Sequence, residues 1–383
     1  MRDQFLLAPD LVFLNHGSFG ACPREVLEAQ QRWQLEMERN PVEFLGRRSA
    51  DLLFEARTVL ARALGDSADE LVFVPNSTSG VNIVAQSFPL LPGDEVLTTD
   101  LEYGACDAAW QRACAQRGAT YRRIAIPLPF DRASITKHLL AEITHKTKLI
   151  YFSHITSSTA LILPATELCS AARERGICTF VDGAHGPGQS PVNLDAIGAD
   201  FYVGNCHKWL CAPKGSAFLH ARSEHHELLH ANVVSWGYAE GSGGNTGFSA
   251  FLGKTLFERR MQWQGTPDLS AWLAVPAALE FQQKHDWPTV QKDCHALAKI
   301  ALDELTRRCA TQPIGGDDDW AQMIAIPVRP QDPELLRRRL YEENRIEVPV
   351  TTHGNRVFLR VSVQAYNTLA DIERLLAAKA LND

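Results

Sequence analysis

Lys208 stands just past the apolar run Phe201-Tyr202-Val203, which reads as a buried strand, so its side chain is carried off a strand end toward a dry interior. Burial disfavours an ammonium and lowers the lysine pKa. A neutral amine of that kind can attack an aldehyde and hold it as a Schiff base. A lysine alone is more often on the surface, and it is the residues around Lys208 that change the reading.

Four groups fall at the carboxyl ends of expected strands, where open α/β sheets bind ligands. Asn205 and His207 flank the lysine turn and could reach a phosphate. Val74-Pro75-Asn76-Ser77-Thr78-Ser79-Gly80 lies between a strand and a helix; hydroxyl residues and free backbone N–H groups at a helix start suit the same phosphate. Asp182 ends an apolar strand in Val181-Asp182-Gly183-Ala184-His185. A buried carboxylate is costly unless it meets a cation, and a protonated pyridine nitrogen is one such cation. Tyr103, in Leu101-Glu102-Tyr103-Gly104, could stack on a heteroaromatic ring. Singly, these read as a helix cap, a structural histidine, a turn aspartate and a half-buried tyrosine. In chain order they supply a phosphate cradle, a ring stacker, a nitrogen partner and a Schiff-base lysine, the requirements of pyridoxal 5'-phosphate.

The elements that must position them alternate. Strands are expected at 71–74, 95–98, 121–126, 148–152, 177–181, 201–203 and 216–220. Helices are expected at 78–87, 105–117, 134–144 and 166–175, after two paired by helical spacing at 22–39 and 47–64. Such alternation predicts an α/β fold with a mostly parallel sheet covered on both faces. Residues 223–266 read as irregular, with Gly241-Ser242-Gly243-Gly244 as a mobile loop. From Asp268 a long apolar helix is expected, then helix 287–309, strand 321–328, helix 332–343, strand 356–363 and a last helix near 368–380. This tail predicts a smaller α+β domain. The division expected is a large cofactor-binding domain over 20–265 and a small domain formed by 1–19 and 266–383.

A chain of 383 residues exceeds one ordinary core. Its net charge of −7, without a basic cluster, speaks against nucleic acid. No apolar run reaches the roughly 18 residues of a membrane span, and Met1-Arg2-Asp3-Gln4 lacks the layout of a signal peptide. The nine cysteines form no C-x-x-C pair, which argues against zinc and a disulfide framework and fits reduced thiols in a cytoplasmic enzyme. No metal is expected.

With Val-Asp-Gly-Ala-His at 181–185, Asn-Cys-His-Lys-Trp at 205–209, Gly-Thr at 265–266 and Arg-Val-Ser at 360–362, the whole chain resembles the class V aminotransferase family of fold-type I pyridoxal-phosphate enzymes. Leu14-Asn15-His16-Gly17-Ser18-Phe19-Gly20, Asn40-Pro41 with Arg47, and Trp236-Gly237 point to its isopenicillin N epimerase-like branch. The resemblance implies a seven-stranded sheet and a homodimer with active sites at the subunit interface. It implies that Lys208 holds the cofactor and moves the α-proton, Asp182 pairs the ring nitrogen, His185 lies near the ring hydroxyl and Tyr103 stacks on the ring. Ser77, Thr78, Asn205 and His207 would hold the phosphate, with Thr266 reaching the phosphate of the neighbouring subunit. Arg360 would grip a substrate carboxylate, with Asn15 and His16 also toward substrate.

Ser157 stands where many relatives carry the Asn that bonds the ring hydroxyl. Residues 350–355 lack the loop cysteine of cysteine desulfurases. Epimerisation of an α-amino acid comes first among the implied reactions, with Tyr103 or His16 as the second acid. A β-eliminating C–S lyase or cysteine desulfhydrase, an aminotransferase, and a catalytically silent cofactor-binding protein remain alternatives. Phe19, Phe44, Arg47, Trp236 and Tyr238 are candidates for a substrate side-chain pocket.

Overall fold

A computed structural model describes residues 1–238, 252–329 and 331–381; the expected mobile loop at 241–244 lies outside them. Twelve strands occur among the described residues: β1 Val12–Phe13, β2 Leu71–Val74, β3 Glu95–Thr99, β4 Thr120–Ile124, β5 Thr147–Ser153, β6 Cys178–Asp182, β7 Phe201–Asn205, β8 Ala217–Ala221, β9 Met323–Val328, β10 Ile346–Glu347, β11 Val350–His353 and β12 Arg356–Ser362.

Seven of them form one sheet in the order β2-β8-β7-β6-β5-β3-β4. Only β8 runs against its neighbours, so β2, β3, β5, β6 and β7 end on the same edge. Alternation along each strand feeds two apolar layers. Leu71, Phe73, Ile150, Phe152 and Val181 face one core, while Val72, Val74, Leu149, Tyr151 and Phe180 face the other. Burial on both sides is why these strands read as nearly continuous apolar runs. The helix Ser77–Ser87 lies close on the second face: a Cβ at Gly80 would come within 2.6 Å of Val203 Cγ2.

The C-terminal part forms the antiparallel sheet β11-β12-β9, backed by the helix Trp287–Cys309. Its own core takes in Leu302, Leu305, Ile326, Leu340, Leu359 and Ile372, together with Val12 and Leu14 from the N-terminal segment. β1 pairs in parallel with β10. Sequence periodicity misses both strands, since a two-residue strand carries no period.

Three expectations need correction. Residues 223–266 contain the helix Leu256–Gln262, started by a capping box in which Thr255 and Glu258 satisfy each other's backbone N–H groups. The apolar helix expected from Asp268 is broken at Ala274 into Ser270–Leu273 and Val275–Lys284, with Pro276 in the first turn of the second piece. Its side chains Leu269, Trp272, Val275, Ala278 and Phe281 enter the large core. The final helix stops at Ala377, where Ala378 turns extended.

Candidate functional site

The common edge of the parallel strands opens into a cavity of about 340 Å3. Ser77, Thr78, Tyr103, Ser157, Asp182, His185, Asn205, His207 and Lys208 all line it, joined by Ser18, Phe19, Cys106, Ser153 and Lys214. Most come from the end of a strand or the segment after it, so the sheet sets their spacing; Ser18 and Phe19 come from the short N-terminal helix His16–Phe19 and Cys106 from the helix Gly104–Arg117.

Lys208 Nζ lies 3.3 Å from His185 Nε2. Trp209 Nε1–H donates to His185 Nδ1 at 3.2 Å, which makes Nδ1 the acceptor and places the proton of a neutral imidazole on Nε2. That N–H can donate to Lys208 only if the amine is unprotonated. Electrostatics bring that form within reach near pH 8. Burial, then the Arg360 charge, lowers Lys208 to about 8, against the opposing pull of Asp182, and burial holds His185 well below its ordinary range. The rate of pyridoxal-phosphate uptake by the cofactor-free protein should therefore rise about tenfold per pH unit up to about pH 8 and then level off. Stopped-flow absorbance measures this; a flat profile from pH 6 to 8 would show that the lysine does not lose its proton near pH 8.

Asp182 is buried at the end of β6. Oδ1 accepts the Ala184 N–H at 2.9 Å, and Oδ2 accepts the Tyr151 hydroxyl at 3.0 Å and the Cys106 thiol at 3.6 Å. Burial raises its pKa, while the Ala184 and Tyr151 donors and the Lys208 charge act against that rise.

At the other end, the Ser77 N–H donates to Asn205 Oδ1 at 2.9 Å, tying the start of the helix Ser77–Ser87 to the end of β7. Ser77 Oγ is buried without a partner. His207 Nδ1 donates to Ser216 O at 3.1 Å, leaving Nε2 as its other nitrogen. An unsatisfied hydroxyl at a helix N-terminus suits an anion. With an enclosed amine and a buried carboxylate in the same cavity, these residues fit pyridoxal phosphate.

Arg360, on β12, sits behind two cavity residues. Its Nη1 donates to Ser157 O at 2.9 Å and Ser157 Oγ at 3.2 Å, and its Nη2 donates to Ser18 Oγ at 2.9 Å. Nε is buried without a partner. Burial lowers its pKa to about 10. Ser157 thus contacts the arginine, a role its replacement of Asn does not suggest.

His16 and Asn15 lie one step further back. His16 Nε2 bonds the Lys208 carbonyl at 3.0 Å, and its Nδ1 bonds the Tyr366 hydroxyl at 2.9 Å. Burial lowers His16 to about 3. With both nitrogens occupied behind the lysine turn, His16 is not placed to act as the second acid; it holds the backbone that carries Lys208. Asn15, just before the short helix His16–Phe19, accepts from Ser18 Oγ. Gly20, at φ +71°, lets this segment press on the turn, since a Cβ there would meet His207 O at 2.0 Å.

Thr266 lies away from the cavity, beside Trp236, Trp263 and Gly265. Of the five side-chain pocket candidates only Phe19 lines the cavity. Phe44 is buried in the large core, Arg47 is exposed, Trp236 is 68% exposed, and the Tyr238 hydroxyl bonds His230. Sequence reading did not find Cys106, Tyr151, Ser153, Trp209 or Lys214. Trp209 adjoins Lys208, and Lys214 follows it by six residues, but an apolar or flanking residue carries no chemical signature until its neighbour is known.

The sequence profile of the family described as Aminotransferase class-V matches residues 12–375. Similar proteins include isopenicillin N epimerase of Streptomyces clavuligerus, 38% identical with 98% of this chain and 96% of that protein covered. The isopenicillin N epimerase of Amycolatopsis lactamdurans is 36% identical with the same coverage. A probable chloroplastic L-cysteine desulfhydrase of Arabidopsis thaliana is 29% identical over 96% of this chain and 82% of its own. The fold is shared with the cysteine desulfurase CsdA of Escherichia coli, at TM-score 0.81, 23% identity and coverage of 100% and 97%. It is shared too with the cystine C–S lyase C-DES, at TM-score 0.82, 22% identity and coverage of 97% and 98%. No helix among the described residues is long and apolar enough to cross a membrane. By sequence match, fold and fit of the cavity, the chain belongs to the class V aminotransferase family of fold-type I enzymes that use pyridoxal phosphate.

Proposed function

We propose that the protein epimerises the α-carbon of an α-amino acid or of a substrate containing one, with Lys208 as the residue that moves the α-proton. The observation that carries this is an enclosed lysine that loses its proton near pH 8, lining the cavity behind whose Ser18 and Ser157 lies a buried guanidinium held only by uncharged partners. Bound in this cavity, pyridoxal phosphate would supply an aldehyde for the amine and an electron sink for the charge left at the α-carbon. Ser77, Thr78, Asn205 and His207 would hold its phosphate, Asp182 its ring nitrogen, and His185 and Tyr103 its ring.

Within that frame the chain's own groups divide the work. Arg360, reached through Ser18 and Ser157, orients the substrate carboxylate. Lys208 accepts the α-proton, and His185 Nε2 steers its lone pair. Tyr103, 49% exposed at the cavity, returns a proton during inversion; with His16 occupied elsewhere, it is the acid we assign. Phe19 is 71% exposed at the same cavity. Two exposed rings at one opening, and Thr266 placed outside it, support a homodimer in which a second copy completes the site. Nine unpaired cysteines support a reducing, cytoplasmic setting.

Full-length identity of 36–38% to isopenicillin N epimerases favours epimerisation over the β-elimination named for the more distant desulfhydrase. An α-amino-acid panel in deuterium oxide separates the outcomes. Epimerisation gives deuterium at the α-carbon with inverted configuration. Released sulfide with pyruvate would replace it with β-elimination, and a keto acid with transamination. No exchange on any substrate would leave a silent cofactor-binding protein.

A further inference from the structure

Directly before Tyr103 stands a carboxyl group that the roles above do not use. Glu102 is buried. Its Oε1 bonds the Thr99 hydroxyl and its Oε2 the Ser153 hydroxyl, each at 2.6 Å. Among the described residues no cation lies within ion-pair range of it. Ser153 ends β5, sits in register beside Asp182 on β6, and lines the cavity.

The surroundings treat the two carboxyls differently. Asp182 receives a backbone N–H, a phenol and a thiol, and feels the Lys208 charge. Glu102 has two hydroxyls and the Ser153 backbone N–H, and no cation among the described residues. The titratable groups that face it are Tyr121 on β4, Tyr151 on β5, Cys106 on the helix Gly104–Arg117, and Asp182. The first three are neutral acids that burial holds above their ordinary values, so none offsets a second negative charge. Two interacting buried carboxyls, of which only Asp182 feels a cation, keep one proton between them.

We infer that Glu102 carries that proton and acts as a positioning residue, leaving Asp182 the charged member of the pair and setting what Ser153 presents to the cavity. A protonated Glu102 donates to Ser153 Oγ, freeing the Ser153 hydroxyl hydrogen to donate into the cavity. An ionised Glu102 accepts from both Thr99 and Ser153, and Ser153 then offers the cavity only lone pairs. Burial, with a smaller contribution from the Asp182 charge, pushes Glu102 up to about 8, so the arrangement switches near that pH.

The inference rests on Asp182 as the anion of the site, and cofactor uptake by Asp182→Asn reports on that assignment separately. The test is infrared spectroscopy of the full-length protein with and without pyridoxal phosphate. Without cofactor, the carbonyl band of a protonated carboxylic acid should be present at pH 7 and fade as the pH rises through about 8. It should be missing from Glu102→Gln, retained in Asp182→Asn and shifted in frequency in Ser153→Ala. With cofactor bound, the Glu102→Gln protein should lose an alkaline change in cofactor absorbance seen in the unmodified protein. Absence of the band at pH 7, its survival in Glu102→Gln, or an unshifted band in Ser153→Ala would each overturn the inference. The last reading holds even if Glu102→Gln does not fold.

Discussion

Lys208→Ala is expected to fold, to bind pyridoxal phosphate only reversibly, and to lose α-proton exchange by at least on the order of 10²–10⁴-fold. Folding should survive because the side chain already borders a cavity, and the contact that positions the turn, His16 Nε2 to the Lys208 carbonyl, belongs to the backbone. Borohydride followed by desalting should leave cofactor on the unmodified protein and none on the variant. Lys208→Arg keeps a charge but not a lone pair, so it should be as inactive as alanine. Cofactor fixed by borohydride to Lys208→Ala in unchanged yield would remove Lys208 from its role, whatever the reaction catalysed.

Arg360→Leu should keep the cofactor absorbance and lose substrate recognition. The guanidinium is buried, has no acidic partner among the described residues, and is held by a backbone carbonyl and two serine hydroxyls. A substrate carboxylate exchanging with those neutral acceptors gains a charge-assisted, two-point bond. Its loss costs about 3 kcal/mol, roughly 10²-fold in kcat/KM. Arg360→Lys should recover only part, because an ammonium lacks the planar fork. The diagnostic comparison is an amino acid against its α-amide. Wild type should discriminate between them and Arg360→Leu should not; equal discrimination by both proteins would assign the carboxylate to another group.

The strands of the large sheet were legible because burial on both faces leaves an apolar run with little polar interruption, as in Leu71–Val74 and Phe201–Val203. The capping box at Thr255–Glu258 was also written in the sequence, but it was hidden inside a stretch that composition alone marked as irregular. The broken helix at Ala274 was not legible. Apolar residues continue across the break, and only their packing against the helices before the sheet shows that they serve the large core.

The same division runs through the site. Lys208, Asp182, Ser77 and Asn205 were recognisable because each follows or ends a strand, and parallel strands bring their carboxyl ends to one edge wherever they stand in the chain. Their residue types and strand context sufficed to specify the cofactor. His16, 192 residues from the carbonyl it holds, and Ser18, 342 residues from the arginine it meets, were assigned only by the docking of the N-terminal segment against β12 and the lysine turn. Glu102 was the same letter in the sequence as any surface glutamate. Its charge state depends on what surrounds it, and burial beside Thr99, Ser153 and Asp182 exists only once β3, β5 and β6 are packed together.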